Sequence, residues 1–119
     1  MDLGKVVSWN GLEKLETWSN DNANTIKGTY GAISTPSKTR RNGYYTFIPD
    51  MCRSLRFDYA RDNIINTVNT YDFTLPKDTF HNSNPEYKEF CEKDCIGGGI
   101  FNNRKCLKCW FKICVLLVT

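Results

Sequence analysis

The residues best equipped for chemistry are six cysteines, Cys52, Cys91, Cys95, Cys106, Cys109 and Cys114. Two of their spacings, Cys91-x3-Cys95 and Cys106-x2-Cys109, suit metal knuckles. Zinc takes four soft ligands at tetrahedral angles, and closely spaced cysteine pairs present them from tight turns. The ten residues between the pairs, three of them glycine, would form the tip of a short ribbon. The same thiols also suit a disulfide framework, because six cysteines in 119 residues is a usage typical of oxidising compartments. Spacing alone leaves both readings open.

Other chemistry is thin. His81 is the only histidine and sits in a polar stretch with no acid or nucleophile spaced around it as in a catalytic triad. Gly97-Gly98-Gly99 lacks the Gly-Lys-Ser/Thr ending of a phosphate-binding loop and reads as a flexible turn. Lys38, Arg40 and Arg41 lie in a Pro-containing loop, and three charges without interleaved aromatics read as a solvated segment. The net charge of +3 is too small to argue for nucleic acid. No acid–base or nucleophile constellation points to an enzyme, and no cofactor is implied. No run approaches the roughly 20 apolar residues of a membrane helix. Asp2, Lys5 and Asn10 interrupt any signal-peptide core.

The elements that must position these residues are mostly strands. Leu55, Phe57 and Tyr59 alternate with Arg56 and Asp58, with Arg61 on the polar side; Tyr71, Phe73 and Leu75 alternate with Thr70, Asp72 and Thr74. A period of two over short runs predicts half-buried antiparallel strands, here joined by a polar connection over residues 60–66 and closed by Pro76. Asn42-Gly43 signals a turn ahead of an aromatic strand from Tyr44 to Ile48. Val6, Val7 and Trp9 suit a short strand. Leu12, Leu15 and Trp18 recur at spacing three, which predicts a helical turn over residues 11–18 started by Asn10. Residues 19–24 and 76–85 read as loops.

Four stretches in order carry a resemblance. Ser8-Trp9-Asn10-Gly11 with Trp18 precedes Ile26-Lys27-Gly28-Thr29. Asp50-Met51-Cys52-Arg53-Ser54 is followed by a strand and then by Thr70-Tyr71-Asp72-Phe73-Thr74-Leu75-Pro76. Last come Phe90-Cys91, Gly99-Ile100-Phe101-Asn102 and Lys105-Cys106. This set resembles the class B scavenger receptor family, that of fatty acid translocase, croquemort, the sensory neuron membrane proteins and the lysosomal integral membrane protein. The resemblance covers about residues 3 to 106.

The resemblance implies a mainly β fold with short helices, a partial antiparallel, β-barrel-like fragment of an ectodomain. Residues 1–106 would be the partial ectodomain and residues 107–119 a divergent apolar tail, with the membrane helices lying outside this chain. It implies disulfides Cys52–Cys106 and Cys91–Cys95, leaving Cys109 and Cys114 without counterparts. The family's sequon asparagine is Lys27 here. It further implies a membrane receptor, on the extracellular side of the plasma membrane, that binds and transfers lipids or lipid-bearing particles. Partners through the full-length receptor would be lipids, lipoproteins and apoptotic-cell surfaces. Phe57, Tyr59, Tyr71, Phe73 and Leu75 become candidates for the wall of an apolar tunnel. The competing readings are a zinc-ribbon interaction module built on Cys91, Cys95, Cys106 and Cys109, and an independent disulfide-rich secreted protein.

Overall fold

The computed structural model describes residues 3–36, 38–91, 95–96, 99–107 and 115–117, with the backbone alone for residues 107 and 115–117. In chain order the elements are α1 (Asp21–Asn24), β1 (Thr29–Tyr30), β2 (Tyr44–Ile48), a 3-10 turn (Pro49–Met51), β3 (Arg53–Ile65) and β4 (Val68–Thr74). They continue with α2 (Pro85–Lys88), β5 (Ile100–Asn102), α3 (Arg104–Leu107) and β6 (Val115–Leu117). The protein is mainly strands with short helices. Its principal sheet has the order β1-β2-β3-β4 and is open rather than closed into a barrel. β1 runs parallel to β2, and the other pairs are antiparallel.

The alternation read along residues 55–59 and 70–75 matches strands β3 and β4, but the first strand runs further than its pattern suggests. Residues 60–66, expected as a polar connection, continue β3 to Ile65, and the turn is only Asn66 and Thr67. Both turn residues have positive φ, 49° and 66°, the twist that lets a two-residue connection join right-twisted strands. A bulge between Tyr59 and Arg61 absorbs Ala60. It turns Asp62 and Ile64 onto the face of Phe57 and Tyr59, and Arg61, Asn63 and Ile65 onto the face of Arg56 and Asp58.

Three local expectations fail, and hydrogen bonds account for the first two. Residues 11–18 form no helix: Leu15 N–H donates to Asn24 C=O at 2.8 Å and Trp18 N–H to Asn24 Oδ1 at 2.8 Å. These bonds hold the segment in a non-helical run of turns and bends that buries Leu15 and Trp18 while Leu12 stays exposed. Helix appears instead in the expected loop, where Asn20 Oδ1 caps α1 by accepting from Asn22 N–H and Ala23 N–H. Val6, Val7 and Trp9 lie outside any named strand; a bridge from Lys5 to Thr29 joins this segment to the sheet, and the Trp9 ring packs on Tyr30 at 5.9 Å and Phe47 at 5.6 Å.

The core gathers Trp18, Ala23, Met51, Leu55, Phe80, Tyr87, Phe90 and Phe101 at the start of β3. Tyr87 hydroxyl donates to the carbonyls of Ile96 and Ile100, at 3.0 Å for Ile100, and so ties α2 to the approach to β5. Asn103, fully buried, donates from Nδ2 to Asp50 C=O at 2.6 Å. The tail bears on this segment: Val115–Leu117 pairs antiparallel with Ile100–Asn102. Trp110, Phe111 and Ile113 of the apolar tail lie outside the described residues, as do Cys109 and Cys114.

Gly28 joins the N-terminal segment to the sheet at a point where no side chain fits. Its φ is +80°, and a Cβ there would lie 1.9 Å from Tyr45 O. The substitution Gly28→Ala is therefore expected to cost at least about 3 kcal/mol, read as a lowered thermal midpoint of the oxidised chain. A change within a few tenths of a kcal/mol would show that β1 and β2 do not meet this way.

Candidate functional site

The chain just before β3 is where the cysteine chemistry converges. Pro49 opens the 3-10 turn, and Cys52 ends it in the left-handed region at φ 46°. Cys52 is bonded to Cys106, with Cα atoms 5.6 Å apart across a separation of 54 residues; Cys91 is bonded to Cys95, with Cα atoms 5.2 Å apart. Three of the four thiols needed for a zinc ribbon are thus used in disulfides, and the fourth, Cys109, lies outside the described residues. The zinc-module reading is corrected accordingly: a disulfide sulfur is not the thiolate a structural zinc requires. Among the described residues, no group of three or more His, Cys, Asp or Glu side chains is placed to hold a metal.

Next to the bridge, Arg53 is only 2% exposed. Its guanidinium lies 4.2 Å from the Phe90 ring centroid, 5.2 Å from Phe80, 5.6 Å from Phe101 and 5.9 Å from Tyr87. Nε and Nη1 have no hydrogen-bond partner. Burial pushes its pKa down to about 10, with Glu86 acting the other way, so the group stays charged at neutral pH. A planar cation among ring faces is stabilised by their quadrupoles. The sequence marked Arg53 only as a motif letter; the rings that hold it come from residues 80–101.

Beyond the core, one face of the sheet is aromatic. Tyr44 stacks on Phe57 at 5.4 Å and meets Phe73 edge-on at 5.1 Å. Tyr59 meets Phe73 at 6.2 Å and Tyr71 at 6.1 Å. These residues share a face because Tyr44 pairs with Phe57 and Tyr59 with Phe73 in the sheet register. Phe57 and Leu75 pack against the core at one end; Tyr59 and Phe73 are half-buried and Tyr71 is exposed. The structure thus brings Phe57, Tyr59, Tyr71 and Phe73 into one continuous patch and sets Leu75 at its core end. Tyr44 belongs to the same patch and was not among the candidates; its pairing with Phe57 is visible only in the register. The opposite face is a polar ladder, with Arg56 bonded to Asp58 at 2.8 Å and Arg61 to Asp72 at 2.9 Å.

The basic loop is not simply solvated. Lys38 Nζ sits 3.4 Å above the Tyr44 ring centroid, and burial lowers the Lys38 pKa. Arg40 lies over Tyr71 at 4.9 Å and grips Asp62 through two bonds, Nε to Oδ1 at 2.8 Å and Nη2 to Oδ2 at 2.6 Å. Tyr59 hydroxyl donates to Asp62 Oδ1 at 2.8 Å. The Arg40 bonds, then the Tyr59 bond, hold the Asp62 pKa at about 2. No local pattern could have shown this, since Arg40 and Asp62 are 22 residues apart. The loop straps down one edge of the aromatic face and leaves a cleft of about 640 Å³ beside Arg40, Asp62, Ile64 and Tyr71.

A bridge from before β3 to the cysteine-rich segment, an arginine following its first cysteine, and an aromatic strand pair form one arrangement. The CD36 family model matches residues 1–112 of the chain. This protein belongs to the CD36 family. Scavenger receptor class B member 1 of Cricetulus griseus is 35% identical over 103 residues, which cover 85% of this chain and 20% of that protein. The Mus musculus protein of the same name is 34% identical over the same length. Sensory neuron membrane protein 1 of Antheraea polyphemus is 32% identical over 110 residues, 91% of this chain and 21% of that protein. The chain spans about a fifth of the length of the curated relatives it matches. No helix among its described residues is long and apolar enough to cross a membrane.

Two outcomes are expected for this part of the CD36-family chain. Replacing Cys52 and Cys106 together by serine should lower stability by about 4 kcal/mol in the chain-entropy model, read by chemical denaturation; an unchanged midpoint would mean the bridge constrains nothing. Asp62 should titrate near pH 2 in a carboxylate NMR titration and move back toward about 4 in Arg40→Gln. The sign follows from a depressed folded pKa: any stability from Asp62 is present above its unfolded pKa and is lost as pH falls through 2. A wild-type midpoint near 4 would mean that the strap is not held by this pair.

Proposed function

We propose that this chain is a segment of a membrane scavenger receptor that binds and transfers lipids or lipid-bearing particles, and that its aromatic sheet face is part of the lipid-facing wall. The observation that carries the reading is the division of the β3–β4 hairpin, behind its Asn66-Thr67 turn, into a contiguous aromatic face, joined by Tyr44 of β2, and a salt-bridged polar face. A wall that guides acyl chains needs an apolar inward side and a wettable outward one. Phe57, Tyr59, Tyr71, Phe73 and Leu75 supply the inward side, with Tyr44 added from β2. Arg56, Asp58, Arg61 and Asp72 supply the outward side. The two disulfides and the family membership support the extracellular side of the plasma membrane as the location. Lipoproteins and apoptotic-cell surfaces would be met by the whole receptor. Residues 1–106 carry the receptor character in this reading, and residues 107–119 are its divergent tail.

The test is a titration of the oxidised, isotopically labelled chain with a spin-labelled long-chain carboxylic acid. Amides of Tyr59, Tyr71 and Phe73 should broaden, those of Arg56 and Asp58 should not, and Phe73→Asp should abolish the effect. Broadening spread evenly over both faces, or none, would remove the wall from this sheet.

A further inference from the structure

Lys38-Thr39-Arg40-Arg41 sets basic side chains at the first, second and fourth positions before one peptide bond, that between Arg41 and Asn42. The segment belongs to the connection from β1 to β2, residues 31–43, whose described residues hold no helix or strand. A connection of that length without structure of its own is uncommon in a compact fold and is usually functional. Thr39, Arg40, Arg41 and Asn42 are exposed, with Arg40 and Arg41 in a turn, and the sheet resumes only at Tyr44. Exposed turns of this kind are where folded chains are cut.

We propose that the Arg41–Asn42 bond is a processing site for a serine endoprotease that reads paired basic residues, and that the Arg40–Asp62 contact guards it. Such an enzyme meets guanidinium and ammonium groups with carboxylates in its specificity pockets, as trypsin does with one aspartate. Its serine attacks the Arg41 carbonyl carbon and the peptide bond breaks. The Asn42 amine leaves with a proton, and water then releases the Arg41 carboxylate.

The chain has a second adjacent basic pair, Arg104-Lys105, and the structure separates the two. Arg104 and Lys105 lie in α3, and the next residue, Cys106, is bonded to Cys52. The residue before them, Asn103, is fully buried and bonded to Asp50 C=O. Proteases take their substrates as extended segments, so a cut there requires α3 to unwind beside a covalent bridge. At residues 38–42 only side-chain contacts have to be released.

Those contacts are the guard. Lys38 lies over Tyr44, and Arg40 lies over Tyr71 while gripping Asp62 through two bonds. Neither cation can meet a carboxylate of the protease while it serves the sheet. Exposed ion pairs hold weakly, so the strap opens and closes, and the rate of cutting follows the open fraction. No cysteine precedes Cys52, so no disulfide spans the cut. Residues 1–41 stay attached through Trp18, which packs in the core and donates from Nε1 to Cys52 C=O at 2.8 Å, and through the pairing of β1 with β2. Cutting thus turns the strap from a loop fixed at both ends into a free end beside the aromatic face. The inference does not depend on that face binding lipid.

The experiment treats the full, oxidised 119-residue chain with a limiting amount of a subtilisin-family endoprotease specific for paired basic residues. Intact mass and N-terminal sequencing read the products. The native chain should be cut once, after Arg41, into two fragments that elute together in size-exclusion chromatography and separate in denaturant. Arg41→Gln should abolish the cut. Asp62→Asn, which keeps every residue the enzyme reads, should be cut about two- to fivefold faster; circular dichroism and disulfide mapping check that it folds. A native chain that resists while its denatured form is cut after Arg41 would overturn the proposal, as would a first cut at any other bond. A folded Asp62→Asn chain cut at the wild-type rate would refute the guard.

Discussion

The start of β3 is the joint on which this structure depends. Within two consecutive residues the chain commits a disulfide, Cys52 to Cys106, and a buried guanidinium, Arg53, to the same distant segment. The two act differently. The disulfide removes freedom from the unfolded chain, and its effect grows with the loop it closes. The guanidinium acts in the folded state, gathering Phe80, Tyr87, Phe90 and Phe101 around one charge. A buried cation without hydrogen bonds to Nε and Nη1 is costly. It persists because the rings offset part of its desolvation, and because the neighbouring covalent bridge already holds the cysteine-rich segment in place.

With that joint made, the rest of β3 is free to serve a surface. The strand leaves the core at Leu55, passes the aromatic patch and ends in a hairpin tip, so one element carries three environments in turn. The bulge at Ala60 changes the face on which every later side chain appears. Without it, Asp62 and Ile64 would leave the aromatic face, and Arg40 would lose the carboxylate that holds the strap over Tyr71. A single extra residue in the ladder thus connects the basic loop to the sheet.

The two faces of the sheet also show how charge is managed. On the polar side, Arg56–Asp58 and Arg61–Asp72 leave no isolated charge along the ladder. On the aromatic side, the Lys38 ammonium lies over Tyr44 and the Arg40 guanidinium over Tyr71. Each exposed pair contributes little to stability by itself. Their common effect is to pair the charges of Arg40, Arg56 and Arg61 with carboxylates on the sheet.

The sequence by itself determined the family, the β character of residues 44–48, 55–59 and 70–74, and which side chains share a face there. Short alternating runs and motif letters are local and survive in any context that buries one side. It did not determine the helix boundaries, because four-residue helices are decided by a capping asparagine and by tertiary bonds such as those from Leu15 and Trp18 to Asn24. Nor did it determine the end of β3, since Ile64 and Ile65 show no alternation and the turn is set by two positive φ angles at ordinary residues. Only the tertiary structure decided that Arg53 sits among four rings and that Arg40 grips Asp62. Both are long-range encounters between residues whose local surroundings are unremarkable, and their energy comes from partners far along the chain.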